Sequence, residues 1–119
     1  MALNLQMFLG KKNFDCQKAE RWFKERRIPL QLVDLNKKPL SKGEFDSVVA
    51  AVGLLPLIDQ ESKLYLESPL RFTSDPGFIR RLLFENQRLL KTPILRCGRK
   101  ATVGFCPEVW EQWMQEAAK

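Results

Sequence analysis

The residue best suited to do chemistry is Cys16, which follows a short apolar run and begins a stretch with helical spacing. A cysteine in the first turn of a helix lies beside amide N–H groups without partners and at the positive end of the helix dipole. Both features favour the thiolate, as would nearby basic residues: Lys11, Lys12, Lys18 and Arg21. The predicted chemistry is nucleophilic attack near neutral pH. The alternative is a buried cysteine that does no chemistry.

A second feature is the dipeptide Thr92-Pro93, directly before an apolar strand-like run. The proline restricts Thr92 to an extended backbone, and X-Pro bonds are the common location of cis peptide bonds. The alternative is an ordinary trans proline at the start of a strand.

Histidine is absent, and the three cysteines, Cys16, Cys97 and Cys106, form no C-x-x-C pair. Without histidine a Cys-His hydrolase lacks its general base and a zinc site lacks its commonest ligand, so both classes are excluded. Three irregularly spaced cysteines are also too few for a disulfide framework, and a reducing cytosol would keep them as thiols. We therefore expect a cytoplasmic protein with no bound cofactor and no metal.

The length of 119 residues predicts a single domain over residues 1–119 with its own core. The net charge of +6 comes from basic pairs scattered along the chain, which indicate a solvated surface, or else attraction to anionic substrates or an acidic protein partner. Nucleic-acid binding is not favoured, because no strand alternates aromatic side chains on an open sheet face. We expect no membrane span and no signal peptide.

The elements that would position Cys16 follow from hydrophobic spacing. The predicted order is a strand at 5–9, a helix from Cys16 to about Arg27, a strand at 30–35, a helix from Ser41 to Gly53, short helical turns and loop over 54–72, a helix from Ser74 or Asp75 to about Gln87, a hairpin of strands 94–97 and 101–104, and a helix from Pro107. Asp15 is the predicted N-cap of the first helix, and Ser41 with Glu44 forms a capping box on the second.

The first half of this order is a βαβ unit, whose crossover should be right-handed. Adding the hairpin gives a mixed four-stranded sheet with flanking helices and a helical insertion between strand 2 and the hairpin. The fold class is therefore α/β with a thioredoxin-like arrangement.

Two stretches resemble a known family. Residues 13–45, NFDCQKAERWFKERRIPLQLVDLNKKPLSKGEF, resemble the opening of the arsenate reductase (ArsC) and Spx family, with its N-x-x-C and P-x-S-x-x-E segments. Residues 89–105, LLKTPILRCGRKATVGF, are similar to that family's L-L-x-R-P-I…R-x-x-V-G-F/Y segment. The resemblance implies a thioredoxin-like core in which Cys16 is the nucleophile, Asn13 begins the active loop and Pro93 is the cis-proline.

The resemblance also implies how such proteins work. Arsenate reductases of this type attack arsenate with the thiolate and use glutathione plus glutaredoxin to resolve the adduct, whereas Spx proteins carry C-x-x-C as a redox switch and bind RNA polymerase. Here Thr92 replaces the arginine before the cis-proline, Phe105 lies near the position of a further arginine, and Ala19 replaces the second cysteine. Because an oxyanion needs convergent cationic donors, efficient arsenate reduction is not expected.

Two hypotheses follow. In the first, the chain is a thiol oxidoreductase that acts through Cys16 on a small thiol or oxyanion substrate, with glutathione as external reductant and glutaredoxin as a partner. Cys97 or Cys106 would resolve the adduct if its Cα lies within about 7 Å of that of Cys16. The predicted substrate-binding residues are Asn13, Lys18, Thr92, Pro93, Arg96 and Arg99. In the second, the chain is a non-enzymatic Spx-like regulator or adaptor that binds a protein partner such as RNA polymerase.

Overall fold

The structure, a computed structural model, describes residues 5–10 and 13–117. The strands and helices are β1 (Leu5–Leu9), α1 (Phe14–Glu25), β2 (Gln31–Asp34), α2 (Lys42–Val52), α3 (Lys63–Leu66), α4 (Pro76–Glu85), β3 (Ile94–Cys97), β4 (Lys100–Val103) and α5 (Pro107–Ala117). Short 3-10 turns lie at Leu55–Leu57, Pro69–Phe72 and Gln87–Leu89. The predicted order of elements is confirmed, including the helical turns within residues 54–72.

The four strands form one mixed sheet in the order β2-β1-β3-β4. Strand β1 pairs in parallel with β2 and antiparallel with β3, and β3 pairs antiparallel with β4. In this register Phe8 lies between Val33 and Ile94. The central pair of strands therefore joins the βαβ half of the chain to the C-terminal hairpin.

The core lies on both faces of the sheet, because successive side chains along a strand point to opposite faces. On β1, Met7 packs with the buried side of α1 and α5, whereas Phe8 packs with α2 and α4. On β3, Leu95 belongs to the first cluster and Ile94 to the second. Each such side chain contributes roughly 1.5–3 kcal/mol on full burial, so both layers hold the sheet in place.

The capping box predicted at the start of α2 is confirmed. Glu44 N donates to Ser41 Oγ at 3.2 Å, and Ser41 N donates to Glu44 Oε1 at 3.0 Å. The donation from the Ser41 N–H holds the pKa of the Glu44 carboxyl below its usual value.

The apolar stripe of α5 is core. Trp110 and Trp113 are buried, and the Trp110 ring lies 5.0 Å from that of Phe23. Its Nε1 donates to the buried Thr102 Oγ1 at 2.8 Å, so α5 is joined to β4 by a polar as well as an apolar contact. Within the part of the chain that the structure describes, no helix is both long and apolar enough to cross a membrane.

Candidate active site

The N-terminus of α1 meets the loop that precedes β3, and Cys16 lies at this junction. Its side chain is only 5% exposed, and its Sγ lies 3.6 Å from Thr92 Oγ1. The Thr92-Pro93 peptide bond is cis, as the resemblance implies, and Pro93 is fully buried. The structure therefore brings together the cysteine and the proline that the sequence singled out separately.

Asn13 is the residue that connects these two segments, and it is also the N-cap of α1. Its Oδ1 accepts from Cys16 N at 2.7 Å, while its Nδ2 donates to Thr92 O at 3.3 Å and to Thr92 Oγ1 at 3.2 Å. The prediction that Asp15 caps α1 is wrong: Asn13 has the extended backbone of a cap, so the helix begins at Phe14 and ends at Glu25, two residues before the predicted end. Cys16 is therefore the third residue of α1.

The electrostatics around the sulfur contradict the expected thiolate at neutral pH. Burial raises the pKa of the Cys16 thiol, and its side-chain hydrogen bonds with Thr92 and Asn13 only partly oppose that rise. Among the residues that the structure describes, the charges that act on it most strongly are the carboxylates of Glu20 and Asp15, which raise the pKa further. Sequence reasoning counted the helix dipole and the lysines but missed Glu20, although its i+4 spacing from Cys16 places it on the same side of α1.

Lys18 lies near the site, but its ammonium group already contacts Asp15 and Phe105. Its Nζ is 3.4 Å from Asp15 Oδ1 and 4.7 Å from the centroid of the Phe105 ring. Arg21 instead lines a surface groove with Ile28 and Leu30, on the side of α1 that faces β2. Lys11 and Lys12, which the sequence also suggested as neighbours of the cysteine, lie outside the described residues.

The two arginines predicted to bind substrate do not lie beside Cys16. Arg96 points to the face of the sheet that carries α2, where its Nη1 donates to Gln6 Oε1 at 3.1 Å and lies 3.8 Å from Glu44 Oε2. Arg99 occupies the turn between β3 and β4, at the opposite end of β3 from Pro93. Because strand β3 alternates faces and extends away from the site, neither arginine supplies the predicted positive charge there.

The two candidate resolving cysteines have different positions. Cys97 is the last residue of β3, and the five extended steps of chain from Thr92 to Cys97 span about 16 Å, so Cys97 lies too far along β3 for a disulfide with Cys16. Cys106 lies at the edge of the site. Gly104, two residues before it in the chain, is hydrogen-bonded to the cis-proline, since Gly104 N donates to Pro93 O at 2.8 Å. The Asp15 carboxylate raises the pKa of the Cys106 thiol as well, after the larger effect of burial. Both cysteines are free thiols, and the resolving role of Cys106 stays a prediction.

Lys91 is a neighbour of the site that sequence reasoning missed. Gly104 has φ 85, which favours glycine, and a Cβ placed there would lie 3.8 Å from Lys91 Cε. The ammonium group partly offsets the effect of burial on the pKa of Cys106. Its position directly before Thr92-Pro93 was the available signal, since the chain neighbour of Thr92 must lie close to the site.

The comparisons with known proteins agree with this geometry. The model of the ArsC family matches residues 8–113. A curated relative, global transcriptional regulator Spx 2 of Oceanobacillus iheyensis, is 29% identical over 92 residues, which cover 75% of this chain and 68% of that protein.

Solved structures with the same fold include an ArsC family-related protein from Bacteroides fragilis, with TM-score 0.75, 24% identity and coverage of 94% of this chain and 98% of that one. They also include an arsenate reductase from Vibrio cholerae, with TM-score 0.78, 18% identity and coverage of 94% and 98%. These likenesses confirm the predicted thioredoxin-like fold. Since the family model spans almost all of the sequence, the chain belongs to the ArsC family.

Proposed function

We propose that the chain is a thiol-dependent redox protein in which Cys16 exchanges with a glutathione-type disulfide. The observation that supports this function is the position of Cys16, which lies in the first turn of α1 beside the cis-proline Pro93. Its Sγ is 3.6 Å from Thr92 Oγ1. This arrangement holds one sulfur next to the start of β3, a central strand of the sheet. The family to which the chain belongs includes proteins that use a cysteine in this place.

The reaction is a thiol–disulfide exchange. The Cys16 thiolate attacks the glutathione sulfur of a mixed disulfide between glutathione and a substrate thiol, the S–S bond of that disulfide breaks, and a bond between Cys16 Sγ and glutathione forms. The departing substrate thiolate takes up a proton from water. Attack by a free glutathione thiolate on the Cys16 adduct then breaks the bond to Cys16, regenerates the Cys16 thiolate and releases oxidised glutathione, so the substrate thiol is reduced and glutathione is oxidised.

Reduction of a free oxyanion is less well supported than disulfide exchange. Asp15 and Glu20 place two negative charges in electrostatic range of the sulfur, and the nearby Lys18 is paired with Asp15. A tetrahedral oxyanion would meet repulsion from both carboxylates without an arginine fork to offset it. A disulfide carries no charge at the sulfur that is attacked, and therefore avoids that repulsion.

The test uses a Cys97→Ser/Cys106→Ser variant, in which Cys16 is the only thiol. We expect oxidised glutathione to add one glutathione to the intact protein, faster at alkaline than at neutral pH because the thiolate is the nucleophile. The matched control is Cys16→Ser, which retains the other two cysteines. Absence of an adduct on Cys16 at every pH at which the variant is folded would overturn the proposal, as would an adduct confined to Cys97 and Cys106 in the parent chain.

A second candidate function is that of a protein-binding regulator or adaptor. The helical insertion exposes large apolar side chains to solvent: Leu55 at 65%, Leu66 at 52% and Phe72 at 83%. Exposed apolar side chains are typical of contact surfaces where they form one patch, and these three come from one segment of the chain. The relative from Oceanobacillus iheyensis is a transcriptional regulator, and the Spx resemblance implies RNA polymerase as the partner.

Purified RNA polymerase gives a direct test of that candidate. We expect the parent chain and Cys16→Ser to bind it equally, and Leu66→Ser/Phe72→Ser to bind it more weakly, because the double variant removes only exposed apolar surface. Equal binding by the double variant, or no binding by the parent chain, would exclude this function for this partner.

A further inference from the structure

Three side chains at the active site form a continuous hydrogen-bonded series that ends at the sulfur. Asn13 Nδ2 donates to Thr92 Oγ1 at 3.2 Å, and Thr92 Oγ1 lies 3.6 Å from Cys16 Sγ. Thr92 is 6% exposed, and Cys16 is similarly buried, so water has little access to the contact between them. A hydrogen bond is worth more to an ionised group in such surroundings than in solvent.

The orientation of the Asn13 amide is determined by its partners. Its Oδ1 accepts from Cys16 N, so the amide nitrogen must point to Thr92, where it donates to both the carbonyl and the hydroxyl oxygen. The reversed amide would place two donors against each other at Cys16 N and two acceptors against each other at the Thr92 carbonyl. The network therefore admits one arrangement.

The Thr92 hydroxyl is held in a similar way. Its methyl group faces Gly10, where an added Cβ would lie 3.6 Å from Thr92 Cγ2. The hydroxyl oxygen accepts a hydrogen bond from Asn13 Nδ2 on one side. The hydroxyl hydrogen of Thr92 therefore remains free to be donated to an acceptor on another side. A Cys16 thiol can donate to this oxygen, but a thiolate can only accept from it. Ionisation of the sulfur thus directs the Thr92 proton to Sγ.

We propose that Asn13 and Thr92 are positioning residues for the nucleophile rather than binders of the substrate: the Asn13 amide orients the Thr92 hydroxyl, and that hydroxyl donates to the Cys16 thiolate when it forms. The purpose of this series rests on the proposed thiol exchange, but its existence does not. Thr92 thereby supplies, with a neutral donor, part of the stabilisation that a charged side chain would give.

The test follows ionisation of Cys16 in the Cys97→Ser/Cys106→Ser background, by ultraviolet absorbance of the thiolate and by the rate of alkylation with iodoacetamide across pH. We expect Thr92→Val, which preserves shape but removes the hydroxyl, to titrate at higher pH and to react about tenfold more slowly at pH 7, as loss of a hydrogen bond to a charged group predicts. Thr92→Ser retains the hydroxyl and should stay within about twofold of the parent rate.

Asn13→Ser provides an independent variant, because serine still caps α1 but is too short to reach Thr92. It should shift the titration in the same direction by a smaller amount. Combined with Thr92→Val, it should add less than it does to the parent, since the part of its effect that passes through the Thr92 hydroxyl is then already lost.

A purely structural role for Thr92 would lower stability without moving the titration of Cys16. An unchanged titration in folded Thr92→Val, or a Thr92→Ser variant that behaves like Thr92→Val, would overturn the proposal. If Thr92→Val does not fold, an unchanged titration in Asn13→Ser would do the same. None of these measurements uses glutathione, so a failure of the proposed exchange reaction leaves this result interpretable.

Discussion

The pH dependence of Cys16 reactivity tests the site most directly. A cysteine thiol with the ordinary pKa of 9.0 is about 1% ionised at pH 7. Burial and two carboxylates, Glu20 and Asp15, raise the pKa of Cys16 above that value, so the thiolate fraction of its sulfur at neutral pH is smaller than that of a free cysteine. In the Cys97→Ser/Cys106→Ser variant, the alkylation rate should therefore rise about tenfold between pH 7 and 8 and should keep rising to pH 9 without a plateau.

The assay is the second-order rate of alkylation by iodoacetamide, compared with that of the same variant unfolded in denaturant. The unfolded chain should react faster at every pH in this range, because neither burial nor the folded arrangement of carboxylates acts on its sulfur. Glu20→Gln should increase the folded rate at pH 7, with Glu25→Gln at the end of α1 as the matched control. A plateau at or below pH 8, or a folded rate above the unfolded one, would refute this account of the site.

Three further predictions concern stability. The pKa values of all three cysteines are raised on folding, so the folded chain binds more protons than the unfolded chain above pH 9.0. The free energy of unfolding should therefore fall as the pH rises through that range. The urea midpoint should drop more between pH 7 and about pH 10 in the parent chain than in a cysteine-free variant. Thr102→Val should cost about 1–3 kcal/mol in urea unfolding, because it leaves the buried Trp110 Nε1 without an acceptor, whereas Thr102→Ser should cost less; equal costs would contradict this. Glu44→Ala should cost about 1 kcal/mol by loss of the capping box, and since the pKa of Glu44 is lowered on folding, its contribution should be present above pH 4.5 and fade at more acid pH; a cost that is the same at pH 3 and pH 7 would contradict it.

The order of elements could be predicted because its signals are local. The capping box at Ser41 and Glu44, Pro107 in the first turn of α5 and the glycine turn before β4 each depend on a few neighbouring residues. The residue that caps α1 could not be predicted from the local sequence, because Asn13 and Asp15 are equally suitable cap residues. Asn13 is the one that also bonds to Thr92, 79 positions away.

The electrostatics of the site were harder to predict than its location. Cys16 and Thr92-Pro93 could be paired through the family resemblance, but the burial of the sulfur depends on how α1 packs on the sheet. The position of Arg96 was within reach of sequence reasoning, since alternation places it on the same face as Ile94 and opposite Leu95. Whether that face carried the cysteine depended on which side of the sheet α1 covers.

The contact between Cys16 and Thr92 joins residues 76 positions apart in the chain. Contacts of such high sequence separation form only after a large loop has closed, which is slow compared with helix formation. During synthesis, α1 and its cysteine leave the ribosome well before β3 exists to cover them. The sulfur is therefore most accessible to oxidants in the nascent chain, and its protection is acquired only when the C-terminal hairpin completes the sheet.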